Sequence, residues 1–253
     1  MTVERTAPPG GSVDSAIVTH TVETVRVQTA DGPIDAWLGV PAGDGPWPGV
    51  VVVHDAIGYG PDIAATAARV AAAGYLTITP NLFSRGGRIR CVKRVFSEAV
   101  RGQGRAFDDV LAARDHLREM PQCTGAIAIA GFCMGGQFAL LLGPGNFGAA
   151  APFYGTPLPK SVTDTLDPSC PVVASFGRRD PMGVGAPATL RAAVAAKGVA
   201  ADIKVYPRAG HSFANQLPAQ GFARIIGFNY DAEATDDAWR RVFAFFAEHL
   251  PTS

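Results

Sequence analysis

The sequence predicts an α/β fold, a mostly parallel central sheet of about eight strands with helices on both faces. Three observations carry this. Short apolar runs alternate with helix-length amphipathic segments, the order that builds parallel strands joined by crossover helices. Two runs, Gly49 to His54 with its four consecutive valines and Ala126 to Ala130, are apolar throughout, as strands buried on both faces are. Glycine or proline punctuates most junctions between segments. The 253 residues suit one such domain, expected over 22–250, behind an extended or disordered leader at 1–21 that contains Ala7-Pro8-Pro9-Gly10-Gly11.

Taken in order, Glu23 to Thr29 alternates as a half-exposed strand, and Asp31-Gly32-Pro33 turns it into a second strand, Ile34 to Val40. The pair reads as an antiparallel edge on a larger sheet. After a Gly/Pro-rich loop, Gly49 to His54 is the central strand. Ile63 to Ala73 is a helix stopped by Gly74. Tyr75 to Thr79 is a strand, and Asn81 to Arg90 a long loop. Helical character is expected at Phe96 to Val100 and more strongly from Gln103 to Met120, where Phe107, Val110, Leu111 and Leu117 have core spacing.

Beyond the strand at Ala126 to Ala130, a helix is expected from Gln137 to Leu142. Strands at Ala149 to Tyr154, Pro171 to Phe176 and Asp202 to Tyr206 follow, with a polar loop at Pro157 to Pro168 and a helix at Ala188 to Lys197. Thr235 to Leu250 closes the chain as an amphipathic helix with Trp239, Val242, Phe243 and Phe246 inward.

The composition narrows the function classes. Hydrophobic residues make up 47% and charged residues 17%, a globular balance with a large buried fraction. Formal net charge is zero and no Lys/Arg cluster is interleaved with aromatics, so no nucleic-acid partner is expected. Cys91, Cys123, Cys133 and Cys170 show neither C-x-x-C nor metal-ligand spacing and are too sparse for a disulfide framework. There is no signal-peptide h-region and no apolar run of about 18 residues, so neither export nor a membrane is expected. A cytoplasmic protein without metal or cofactor, a monomer or small homo-oligomer, is the expectation.

The chemistry centres on Gly131-Phe132-Cys133-Met134-Gly135. A strand runs into a turn and then a helix, the G-x-S-x-G nucleophile elbow with cysteine in the serine position. Any Cβ on the flanking glycines would meet the neighbouring chain. The helix N-terminus behind Cys133 is expected to favour a thiolate. A cysteine nucleophile needs a base, and the base needs an orienting group. Of five histidines, only His211 follows the last expected strand, between Gly210 and Ser212; His54 abuts the central strand. Asp180, just beyond the strand ending at Phe176, is the best acid, ahead of Asp164 and Asp167. The order Cys133, Asp180, His211 is that of nucleophile, acid and histidine in α/β hydrolases. Backbone N–H groups of Met134 and Ala56 are the candidate oxyanion hole.

Together the cysteine elbow Gly131 to Gly136, the segment Gly177 to Asp180 and Gly210-His211-Ser212-Phe213-Ala214 resemble the dienelactone hydrolase family, over about Val22 to Leu250. The resemblance implies an α/β-hydrolase fold and hydrolysis of an ester or enol-lactone through an acyl-cysteine. It also implies a carboxylate near the resting thiol. The best-known members carry glutamate there; Asp55 is one methylene shorter. They hold the substrate carboxylate with two arginines. Arg85 matches one, but Asn215 stands at the other, so weaker capture of such carboxylates is expected, and Arg85, Phe83 and Asn215 are the candidates for substrate contact. The alternative is a catalytically weak scaffold serving as a small-molecule binding protein or thiol redox sensor.

Overall fold

The computed structural model describes residues 20–86, 88–160, 162–216 and 228–250. The leader expected at 1–21 lies outside them except at its end, where the first strand already begins at Thr21. Eight strands form one sheet: β1 (Thr21–Val27), β2 (Ile34–Val40), β3 (Trp47–Val53), β4 (Leu76–Pro80), β5 (Cys123–Phe132), β6 (Ala150–Phe153), β7 (Val172–Gly177) and β8 (Ala201–Tyr206). Their order is β1-β2-β4-β3-β5-β6-β7-β8. The β1–β2 and β2–β4 pairs are antiparallel and all the others parallel, so the expected antiparallel edge is present.

Among the described residues the helices are α1 (Pro61–Ala72), α2 (Arg88–Arg101), α3 (Arg105–Glu119), α4 (Met134–Leu142), α5 (Val162–Thr165), α6 (Ala186–Lys197) and α7 (Ala232–His249). None is long and apolar enough to cross a membrane. β3 and β5 sit at the centre, where Val50 to Val53 and Ile127 to Ala130 are buried, as apolar two-sided strands must be. Trp239 of α7 lies 4.9 Å from the Phe153 ring and 6.1 Å from Phe132, closing the core beneath the ends of β5 and β6.

Two segments depart from expectation. The helix expected at Phe96 to Val100 is present but longer, because α2 starts at Arg88, inside the loop expected to reach Arg90. Its buried side is Cys91, Val95, Glu98 and Ala99, a helical i, i+4, i+7, i+8 stripe whose apolar members are small and which includes a carboxylate. Glu98 accepts the Ala106 N–H at 2.8 Å, satisfying a free donor in the first turn of α3. Val100 lies on the outer face of α2, 68% exposed. The polar loop at Pro157 to Pro168 likewise contains the single turn α5.

The register brings the strand ends into line. Val53 pairs with Gly131, Phe132 with Phe153, Phe153 with Ser175 and Gly177 with Tyr206. Asp55, Cys133, Asp180 and His211 therefore all leave the sheet at its carboxyl edge, where open α/β sheets bind ligands.

Candidate active site

Cys133 sits between β5 and α4 with φ 54° and ψ −114°, a backbone conformation that L residues rarely hold. Three contacts impose it. The Cys133 N–H donates to Phe153 O at 3.0 Å. A Cβ on Gly131 would lie 2.0 Å from Gly135 O, and one on Gly135 would lie 2.2 Å from Val53 O. The elbow is thus wedged between β3 and its own helix, and the glycines are needed where the sequence has them.

His211 lies beyond β8, wholly buried, with Tyr154 and Phe228 rings 5.1 and 5.0 Å away. Its Nδ1 is 2.9 Å from Asp180 Oδ2. Asp180 is held by the Thr156 hydroxyl at 3.2 Å and the Met182 N–H at 2.8 Å. A carboxylate only accepts, so the imidazole proton is on Nδ1 and Nε2 carries the lone pair. Among the described residues Nε2 has no hydrogen-bond partner. The Asp180 pairing thus leaves the other ring nitrogen of His211 unpartnered, and the Cys133 thiol is not bonded to it in this state.

Burial pushes the Cys133 pKa up to about 12, and the carboxylates of Asp55 and Asp180 add to the rise, against a hydrogen bond from the Met134 N–H. Burial and the two nearby carboxylates thus oppose the lowering expected from the helix N-terminus. The Asp55 pKa is raised, chiefly by burial and against hydrogen bonds from the Gly58 and Ile57 N–H groups. Its Oδ1 accepts from Ile57 at 2.7 Å and Gly58 at 3.2 Å, so the shorter side chain folds back on its own turn. It reaches Cys133 through its field, with no hydrogen bond to the sulfur.

Among the three candidates for substrate contact, two are occupied inside the protein. Arg85 sends Nη1 to Thr29 Oγ1 (3.2 Å) and Gly32 O (2.8 Å), and Nη2 to both oxygens of Asp109 at 2.5 Å. Asn215 is buried, accepts from the Tyr154 hydroxyl and donates to Asp62 Oδ2 at 2.7 Å. It ties the histidine loop to the start of α1. Phe83 packs edge-on against His54 at 4.6 Å. Asp62, Asp109 and Tyr154 carry no local signal in the sequence, because their partners lie 153, 24 and 61 residues away in the chain. For His54 the available signal was its position against Asp55.

A mostly parallel sheet with a cysteine elbow, a buried Asp–His pair on the same edge and two candidate oxyanion amides defines an α/β hydrolase. The dienelactone hydrolase family model matches residues 34–250, and the chain belongs to that family. A Yersinia pestis protein provisionally named a carboxymethylenebutenolidase is 33% identical over 226 residues, 81% of this chain and 79% of its own. The carboxymethylenebutenolidase of Rhodococcus opacus is 28% identical over 217 residues, 79% of this chain and 81% of its own. A crystal structure from Klebsiella pneumoniae, provisionally named a dienelactone hydrolase, superimposes with TM-score 0.74 at 27% identity, covering 91% of this chain and 99% of that one.

Proposed function

We propose that the protein hydrolyses carboxylic esters or enol-lactones through an acyl-cysteine intermediate. The observation that carries this is the free His211 Nε2, backed by Asp180, on the same strand edge as Cys133. Substrate brings a carbonyl over the elbow, and the thiol turns towards His211. The S–H proton passes to Nε2 as sulfur forms its bond to the carbonyl carbon. The Ala56 and Met134 N–H groups receive the oxyanion. As the C–O bond to the leaving group breaks, His211 returns the proton to that oxygen. Water, deprotonated by His211, then attacks the thioester. The acid leaves and the sulfur is reprotonated.

A thiol held near pKa 12 suits this cycle, in which the proton leaves only when a carbonyl is present. It counts against a redox sensor, which needs a thiolate at rest. With Arg85 engaged by Asp109 and Asn215 by Tyr154 and Asp62, the site favours uncharged esters and lactones over carboxylate-bearing ones. The test compares kcat/KM on an enol-lactone with and without a carboxylate, for wild type and Cys133→Ala. Turnover that is lost in the variant, and is higher for the uncharged lactone, supports the reading. Equal turnover by Cys133→Ala refutes it.

A further inference from the structure

The turn that leaves β3 is held by a residue outside the triad. His54 is wholly buried, and both of its ring nitrogens meet backbone groups. Nε2 accepts the Leu82 N–H at 3.2 Å, so it carries no proton. The proton is on Nδ1, which donates to the Asp55 carbonyl oxygen at 2.7 Å. Burial keeps the ring neutral by lowering its pKa to about 4.

The Asp55 carbonyl and the Ala56 N–H belong to one trans peptide, in which the two groups point in opposite directions. Fixing the oxygen therefore fixes the N–H. Among the described residues no acceptor takes the Ala56 N–H, and Ala56 is only half-buried. The same turn borders the elbow, since a Cβ on Gly135 would lie 2.2 Å from Val53 O and 2.9 Å from His54 O. The Asp55 side chain, bonded to Ile57 and Gly58, holds the turn from its far side.

We propose that His54 is a positioning residue for the oxyanion hole, its Nδ1–H holding the Asp55–Ala56 peptide so that the Ala56 N–H meets the oxyanion formed by Cys133 attack. This rests on the hydrolase reading above. Removing one oxyanion donor costs about 10²–10³ in kcat, so releasing one from its aim costs part of that.

Asparagine and glutamine separate the two ring nitrogens. Asparagine sets an amide nitrogen near the place of Nδ1, and glutamine sets an amide oxygen near the place of Nε2. His54→Gln thus keeps the Leu82 acceptor and loses the donor to Asp55; His54→Asn does the reverse. Each variant is assayed on p-nitrophenyl acetate and for alkylation of Cys133 by iodoacetamide, which forms no oxyanion. His54→Gln should lower kcat about 10–100-fold, with KM and alkylation rate within about twofold of wild type. His54→Asn should restore kcat to within about fivefold. Wild-type kcat in His54→Gln, equal impairment of both variants, or a matching fall in alkylation overturns the proposal. Should both variants unfold, nitrogen NMR of the wild type decides, and a His54 ring protonated on Nε2 overturns it. A wild type without Cys133-dependent turnover sinks the hydrolase reading instead.

Discussion

Asp180 Oδ2 lies 2.9 Å from His211 Nδ1, with both side chains 1% exposed. In so dry a setting the carboxylate fixes the tautomer that leaves Nε2 free to take a proton. Asp180→Asn should lower kcat on p-nitrophenyl acetate about 10²–10⁴-fold, with KM within about threefold. A loss confined to KM would mean that Asp180 shapes the pocket instead of holding the base.

The buried Cys133 thiol, pushed up to about 12, gives a distinctive alkylation profile. Its iodoacetamide rate should climb about tenfold per pH unit through the neutral and mildly alkaline range, because the thiolate fraction does so below the pKa. Asp55→Asn removes a nearby negative charge, lowers the pKa and should speed alkylation at any fixed pH in that range. A rate that levels off near the ordinary cysteine pKa, about 8.5, would contradict this.

Arg85 and Asp109 form a paired charge with side chains 17% and 1% exposed. Asp109→Ala strands the guanidinium and should cost about 3–5 kcal/mol in urea unfolding; the double variant Arg85→Met, Asp109→Leu should cost much less. Arg85→Met should leave the preference between carboxylate and uncharged lactones within about twofold. Selective loss of the carboxylate substrate would show that Arg85 contacts it.

His54 also links stability to pH. Its folded pKa, about 4, lies below the ordinary 6.5, so the unfolded chain binds the extra proton between those values. Its contribution is complete above about pH 6.5 and lost as pH falls towards 4, of the order of 3 kcal/mol across that range. Thermal melting of wild type should therefore fall more steeply on acidification than that of His54→Asn. Parallel curves would show that His54 does not titrate on unfolding.

Much of this was legible in the chain. The valine run of β3 and the Gly131 to Gly136 turn announce a parallel sheet and its elbow because burial and close approach demand those residues locally. The placement of His211 and Asp180 followed from where strands end. Three features were hidden because they depend on what packs nearby. The α2 stripe is disguised by Cys91 and Glu98, whose roles are set by α3 and the loop before it. The internal partners of Arg85 and Asn215, which are Asp109, Tyr154 and Asp62, are set by the fold and not by local sequence. The helix end behind Cys133 suggested a thiolate, and the burial of the sulfur beside Asp55, which only the fold reveals, pushes the pKa the other way.

The central claim is that Cys133 carries the acyl group. Its most direct test is rapid acid quenching during turnover of a slowly released ester, followed by mass spectrometry of the peptide containing Cys133. That peptide should be heavier by one acyl group, with no such adduct in Cys133→Ala. Steady turnover with an unmodified Cys133 peptide, or an acyl group on another residue, would contradict it.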